Sequence, residues 1–172
     1  MIAFASERLI DFTLPAELEA SEPPEARGLR RDQVRLLVSY PADDRIFHTR
    51  FDDLPRWLQA GDLVVANDSA TLPAALTCQR SDGSSAALHL STRLPGRLWV
   101  AEPRQASVTA GEVLALPDGG AATLLGPYAD SQRLWLVRLD LPVPPLEYLA
   151  RWGRPIAYPY VRGSWPLEMY QT

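Results

Sequence analysis

Short apolar runs separated by turn-forming residues dominate the first third of the chain. Residues 34–40 and 45–51 are strand-like runs on either side of the turn-forming sequence Pro41-Ala42-Asp43-Asp44, so the pattern predicts a β-hairpin. Residues 54–60 follow two aspartates and precede a glycine, and their apolar side chains share one helical face, which predicts a short capped helix. Near the other end of the chain, residues 146–152 follow the proline-containing stretch 142–145 and precede Gly153, which predicts a second short helix.

The rest of the chain is organised around one stretch, residues 61–76. The run Leu63-Val64-Val65-Ala66 is short and β-branched, which predicts a buried strand. Asn67, Asp68 and Ser69 follow it and offer side-chain oxygens and backbone amides, so we expect the strand to deliver a polar corner into a ligand pocket. A simple Asx-type turn after a strand is the alternative.

Residues 77–140 show a different pattern of apolar and polar positions from the residues before them. Five apolar-alternating segments are separated by Gly- and Pro-containing turns, which predicts a small antiparallel β-barrel or compact sandwich of about five or six strands. The segments are residues 86–91, 97–102, 112–116, 121–125 and 133–139.

Composition narrows the class of protein without naming a function. The 172 residues suffice for one large domain or two small ones, and their apolar and charged fractions, 47% and 22%, are those of ordinary globular proteins. No apolar run is long enough to predict a membrane span and no signal peptide is recognisable, so we expect a cytoplasmic protein. Cys78, His48 and His89 make a poor zinc set, and we expect no metal.

The charge argues against indiscriminate nucleic-acid binding, because the formal net charge is −4. All 17 basic residues are arginine, however, and the C-terminal segment interleaves them with aromatic rings. Stacking rings and guanidinium groups are what single-stranded RNA recognition uses, although an aromatic seam against a partner domain has the same composition. The aromatic residues are Tyr158, Tyr160, Trp165 and Tyr170, and the basic ones Arg151, Arg154 and Arg162.

Three separated motifs together resemble the S-adenosylmethionine:tRNA ribosyltransferase-isomerases of queuosine biosynthesis. The first comprises Asp11-Phe12 and, further on, Arg35-Leu36-Leu37-Val38. The second runs from His48 through Gly61-Asp62-Leu63-Val64-Val65 to Asn67-Asp68-Ser69 and Leu72-Pro73-Ala74. The third consists of Pro159-Tyr160-Val161-Arg162 and Tyr170-Gln171-Thr172.

The resemblance implies an α+β, strand-rich fold. A mixed sheet with short helices would form part of a larger catalytic domain, incomplete here and made of residues 1–76 and 141–172, with residues 77–140 as an inserted small antiparallel β-barrel. The family's chain continues past Tyr-Gln-Thr, so the resemblance implies a truncated chain whose C-terminal half is missing. Two family arginines are replaced by Ala70 and Ala75, which removes two cations that could grip phosphate or carboxylate.

The resemblance also implies the chemistry. The ribosyl unit of S-adenosylmethionine, the substrate, would be transferred to 7-aminomethyl-7-deazaguanine in the tRNA anticodon loop and isomerised, giving epoxyqueuosine. Asn67, Asp68 and Ser69 would bind S-adenosylmethionine, Asp68 and His48 are the candidate catalytic residues, and no metal is required. Tyr160, Arg162 and Arg154 would contact RNA.

We expect the 172-residue chain to be inactive by itself, because the fold would need its other half. Two further hypotheses follow from the same residues. One is a paralogue with a different substrate. The other is a non-catalytic RNA-binding module that uses the barrel and the aromatic C-terminal segment, residues 154–172.

Overall fold

A computed structural model describes residues 12–104, 107–129, 131–158 and 160–171. The motif residues Asp11, Pro159 and Thr172 lie outside these ranges. The described chain forms two compact units. The first contains residues 12–64 and 158–164, and the second contains residues 65–157 and 165–171, in both cases without the undescribed positions.

A β-hairpin is the centre of the first unit. Strand β1 (Arg35–Tyr40) pairs antiparallel with β2 (Arg45–Arg50), as the sequence predicts. One face of the hairpin packs on a 3-10 helix, Phe51–Trp57, with the rings of Phe47 and Trp57 5.1 Å apart. This helix begins three residues earlier than predicted and contains Pro55, which has no amide hydrogen to donate within a helix. In residues 12–34, three shorter 3-10 helices precede the hairpin: Ala16–Leu18, Pro24–Arg27 and Arg31–Gln33.

The second unit is built on a closed six-stranded barrel, which confirms the predicted strand-rich class with a small antiparallel barrel. The strands are β3 (Ala75–Gln79), β4 (Ser85–Arg93), β5 (Leu98–Arg104), β6 (Val113–Ala115), β7 (Ala121–Pro127) and β8 (Trp135–Asp140). Their order around the barrel is β3-β4-β5-β8-β7-β6, and every pairing among the described strands is antiparallel. The described residues therefore contain no mixed sheet.

Alternating apolar side chains fill the barrel. Inward residues of the strands are completely buried, and each contributes about 1.5–3 kcal/mol by leaving water. They include Leu76, Leu88, Leu114, Leu124 and Val137. Helix α1 (Pro145–Trp152), which the sequence predicts, adds the buried side chains of Tyr148 and Leu149 to this core. The Tyr148 hydroxyl donates a hydrogen bond to the Pro117 carbonyl, so its polar end is satisfied within the core.

The predicted strand at residues 63–66 is wrong. Neither sheet of the described residues includes this run, and the exposed fractions of Leu63 and Val65 are 87% and 84%. A β-strand needs a neighbouring strand to take up its backbone hydrogen bonds, and no described strand pairs with residues 63–66. The apolar composition that predicts burial is real, but the described residues provide no surface against which the run is buried.

The assignment of residues 1–76 and 141–172 to one incomplete catalytic domain remains a prediction. In the described part of the chain, no helix has the length and apolar character that a membrane span requires. The same residues contain no group of three or more His, Cys, Asp or Glu side chains placed to hold a metal ion.

Candidate functional site

The polar corner of residues 67–69 is an Asx-type turn on the surface of the second unit. The Asn67 side-chain oxygen accepts a hydrogen bond from the Ser69 amide at 3.0 Å. Asn67, Asp68 and Ser69 are all exposed. The expectation that a buried strand delivers them into a pocket is therefore wrong for the described residues, because the strand that should carry them does not form.

Two attachments hold the chain that follows this corner, and the first is at Thr71. The Gln171 side-chain amide accepts from the Thr71 amide at 2.8 Å and donates to the Thr71 carbonyl at 2.9 Å. The Thr71 hydroxyl donates to the Tyr170 carbonyl at 2.9 Å. Three partly buried hydrogen bonds thus join motifs a hundred residues apart in sequence, each contributing about 0.5–1.5 kcal/mol.

The second attachment lies where the segment enters β3. Ala75 and Arg154 exchange two backbone hydrogen bonds, both of 2.9 Å. Gly153 precedes this bridge with a φ of −77°, which any residue could adopt. It is needed for space instead, since a Cβ there would lie 1.9 Å from the Pro73 carbonyl oxygen.

Arg154 contributes its side chain as well as its backbone. Its guanidinium donates to the hydroxyl of Thr77 on β3, and the residue is exposed. The predicted RNA-contacting arginine is therefore anchored on the outside of the barrel. Its partner is a neutral hydroxyl, so the positive charge is not cancelled there.

Tyr160, the predicted RNA-stacking residue, lies in the first unit beside a second ring. The rings of Tyr158 and Tyr160 are almost parallel, 3° apart in plane, with centroids separated by 5.5 Å. Their exposed fractions are 61% and 43%. The Arg162 amide donates to the Ser21 carbonyl at 2.7 Å, which fixes this segment within the unit. The sequence pattern places Tyr158 in the aromatic C-terminal segment, but the stacking of its ring on Tyr160 is visible only in the structure.

The two histidines have different surroundings. His48 is exposed on β2, opposite Leu37 of β1. His89 is half-buried on β4, opposite Glu102 of β5, and its pKa is lowered mainly by burial and secondarily by the Arg104 charge. The predicted site residues are thus divided between the units, with His48, Tyr160 and Arg162 in the first and residues 67–69 and 154 in the second.

Comparison with known proteins places the chain in a family. A family model described as queuosine biosynthesis protein matches residues 8–172. An S-adenosylmethionine:tRNA ribosyltransferase-isomerase of Thermotoga petrophila is 34% identical over 164 residues, covering 94% of this chain and 46% of that protein. Its counterpart in Xanthomonas oryzae is 35% identical over 166 residues, covering 94% and 44%.

A solved structure is also similar. The crystal structure of S-adenosylmethionine tRNA ribosyltransferase from Thermotoga maritima is 32% identical, and the match covers 75% of this chain and 43% of that one with a TM-score of 0.37. The chain thus spans just under half the length of the curated relatives it matches. Because the family model covers nearly all of its residues, the chain belongs to the queuosine biosynthesis protein family.

Proposed function

We propose that this chain provides the N-terminal part of an S-adenosylmethionine:tRNA ribosyltransferase-isomerase. In this proposal the complete enzyme, in the cytoplasm, transfers the ribosyl unit of S-adenosylmethionine to 7-aminomethyl-7-deazaguanine in the tRNA anticodon loop and isomerises it, releasing adenine and methionine and giving epoxyqueuosine. The observation that carries the proposal is the match of residues 8–172 to the family, with relatives named S-adenosylmethionine:tRNA ribosyltransferase-isomerase at 34–35% identity.

The reaction requires deprotonation next to a sulfonium, exclusion of water and a hydrogen-bond donor for the departing adenine. We assign the binding of S-adenosylmethionine to Asn67, Asp68 and Ser69. The Asn67 side-chain oxygen accepts a hydrogen bond from the Ser69 amide, and this bond closes the turn. The turn orients the side-chain NH2 group of Asn67 and the hydroxyl of Ser69. Asp68 is exposed and can accept from ribose hydroxyls or act as the base, with His48 as the second candidate base.

Attachment of this corner is consistent with a positioning requirement. The Thr71–Gln171 and Ala75–Arg154 hydrogen bonds restrain both the chain that leaves the corner and the motif at the C-terminal end. A substrate-binding turn must hold its groups within a fraction of an ångström, because small misplacement costs large factors in rate. Gln171 and Thr71 are therefore proposed as positioning residues.

RNA binding is assigned to the aromatic and basic residues of the C-terminal segment. Tyr158 and Tyr160 offer an exposed stacked pair on which an unpaired base of the anticodon loop can continue the stack. Arg162 and Arg154 would pair with phosphates, and Arg154 has a hydroxyl rather than a carboxylate as its partner.

The rest of the catalytic fold would come from the part of the family's length that this chain does not cover. Leu63, Val64 and Val65 are exposed by 87%, 60% and 84%, and we propose that this part of the family's length packs against them. Such packing would also cover the adjacent residues 67–69. The chain alone is then expected to be inactive.

A second candidate, a family member with a different substrate, is favoured by one observation. Ala70 and Ala75 stand where the resemblance implies arginines, and Ala75 is 8% exposed at the start of β3. Two charge-assisted contacts to an anionic group, each worth about 1.5–3 kcal/mol, would be absent. A module that binds RNA without chemistry would share the same loss.

The proposal is tested with a fusion of this chain to the C-terminal portion of the Thermotoga petrophila relative that it does not cover. The fusion is incubated with S-adenosylmethionine and tRNA bearing 7-aminomethyl-7-deazaguanine, and released adenine is measured by chromatography. We expect release that depends on both substrates. The intact relative is the positive control.

Paired variants separate chemistry from charge. Asp68→Asn should lower adenine release on the order of a hundredfold or more if Asp68 is the base. Asp44→Asn removes the same charge from an exposed turn residue, at a φ of 56° that asparagine tolerates, and should leave release unchanged. A folded fusion that releases no adenine, beside an active control, would contradict the proposal.

A further inference from the structure

One face of the β1–β2 hairpin is uncovered. Side chains directly opposite each other in an antiparallel pair lie on the same face, and the register joins Arg35 to Arg50, Leu37 to His48 and Ser39 to Ile46. All six residues are exposed, including Leu37 at 56% and Ile46 at 58%. The other face is the one that contacts the helix Phe51–Trp57, through Phe47 and Thr49.

The pair at one end of this face is unusual because it places two like charges opposite each other. Arg35 and Arg50 are direct register partners, an arrangement that destabilises a hairpin. Among the described residues, neither guanidinium has a carboxylate within ion-pair distance. By contrast, Arg45 on the same hairpin is bonded to Asp43 at 2.6 Å and lies over the Tyr40 ring.

An anion between the two arginines would remove their repulsion. Two guanidinium forks on neighbouring strands, which run about 5 Å apart, can both reach the oxygens of one phosphate group. His48 adds a third group that can donate a hydrogen bond, and none of the six residues of the face is acidic. The charge of this face is therefore complementary to a polyanion.

The remainder of the face is suited to unpaired nucleotides rather than to a duplex. Leu37, Ile46 and the His48 ring form an exposed, largely apolar surface next to the arginine pair. Bases reach such a surface only when they are not stacked within a helix, and imidazole rings stack on them. An unpaired loop offers phosphates and free bases together.

We propose that this face of the β1–β2 hairpin binds single-stranded RNA, with Arg35 and Arg50 jointly holding one phosphate. The inference rests on the proposed function, in which tRNA is a substrate, and assigns part of the tRNA contact to residues other than those of the polar corner and of the C-terminal aromatic segment. A protein segment covering the same face is the competing occupant.

Fluorescence anisotropy with a labelled RNA stem–loop tests the proposal on the 172-residue chain. The single variants Arg35→Gln and Arg50→Gln and their double variant are compared with Arg45→Gln, which removes an arginine from the opposite face of the same hairpin. We expect Kd to rise on the order of tenfold for each single variant, and to remain near the wild-type value for Arg45→Gln. The double variant should lower the slope of log K against log salt by about 0.7, the loss of one phosphate contact.

Three controls make the outcome decisive. Removing like-charge repulsion should leave the melting temperature of the Arg35 and Arg50 variants at or above that of the wild type, so lost binding with a lowered melting temperature would count as unfolding and against the proposal. A fully paired RNA duplex should bind more weakly than the stem–loop, and equal binding would overturn the single-strand assignment. Leu37→Ser with Ile46→Ser should weaken RNA binding, and a change of oligomeric state without such weakening would identify a protein occupant instead.

Stem–loop binding that is absent in the wild type, or unaltered in the double variant, overturns the inference. Neither result decides the proposed function, because adenine release by the fusion is measured independently. Conversely, an inactive fusion whose RNA binding still depends on Arg35 and Arg50 would refute the proposed ribosyl transfer. It would still support RNA binding at this face of the hairpin.

Discussion

Replacement of Gly153 by alanine tests whether the segment after the polar corner is fixed by close backbone approach. A Cβ at this position would lie 1.9 Å from the Pro73 carbonyl oxygen and 2.5 Å from the Leu149 carbonyl oxygen. Both atoms belong to the backbone, so no side chain can rotate to make room. The segment at Pro73 has to separate from the end of α1, and the Ala75–Arg154 bridge lies directly beyond this contact.

The magnitude follows from three contributions. Steric overpacking costs about 1–3 kcal/mol, and loss of the two bridge hydrogen bonds costs about 1–3 kcal/mol more. Because the φ of Gly153 is −77°, alanine is otherwise compatible and stabilises by about 0.4–1 kcal/mol through the unfolded chain. The net expectation is a loss of about 3 kcal/mol in the free energy of unfolding, or about 6–12 °C in melting temperature for a chain of this size.

Urea denaturation, monitored by fluorescence, measures the free energy of unfolding. The matched control is Gly126→Ala in β7, where a Cβ would meet no atom within 4 Å and no positive φ forbids alanine. Its stability should equal or slightly exceed that of the wild type. If Gly153→Ala is as stable as Gly126→Ala, the close contact with Pro73 does not exist and the proposed attachment fails.

Four further predictions concern the second unit. Tyr148→Phe removes the hydrogen bond from the hydroxyl to the Pro117 carbonyl, which still accepts from the Gly120 amide, and should lower the free energy of unfolding by about 0.5–1.5 kcal/mol in urea denaturation. Burial raises the pKa of Tyr148, so in the wild type the free energy of unfolding should fall as pH rises through about 10, the value in the unfolded chain, and this fall should be smaller in Tyr148→Phe. Cys78 is 2% exposed and burial raises its pKa, so Ellman's reagent should modify it only on unfolding; rapid modification of the native chain would contradict its placement. Gln171→Ala removes both side-chain bonds to Thr71 and should accelerate hydrogen exchange of the Thr71 amide on the order of tenfold, whereas unchanged exchange would show that the attachment is not formed in solution.

Local pattern was sufficient for the elements whose partners are close in sequence. The β1–β2 hairpin needs only two adjacent runs and the turn between them, and α1 needs its own apolar face and the glycine that follows. The barrel was predictable because inward positions in strands such as β4 and β7, for example Leu88 and Leu124, alternate with more exposed neighbours. β3 begins at Ala75, two residues before the expected boundary, where Ala75 pairs with His89 of β4 and also bridges to the distant Arg154.

The prediction of a buried strand at residues 63–66 fails for a different physical reason. The apolar side chains of Leu63, Val64 and Val65 favour burial. Burial also needs a surface for them to pack against, which the local sequence cannot specify. The attachment of Thr71 by Gln171 was hidden for the same reason, since hydrogen bonds between residues 100 positions apart leave no periodic signal. The motifs located the candidate residues, but their grouping into two units came only from the structure.

The most direct test of the central claim is mass spectrometry of the tRNA nucleosides after incubation of the fusion with S-adenosylmethionine. If this chain carries the N-terminal part of a ribosyltransferase-isomerase, 7-aminomethyl-7-deazaguanosine should be converted to epoxyqueuosine. If Asp68 is the base, Asp68→Asn should slow the conversion on the order of a hundredfold while Asp44→Asn does not. A tRNA that is bound by the folded fusion but whose modified base remains unchanged, beside full conversion by the intact Thermotoga petrophila relative, would contradict the claim.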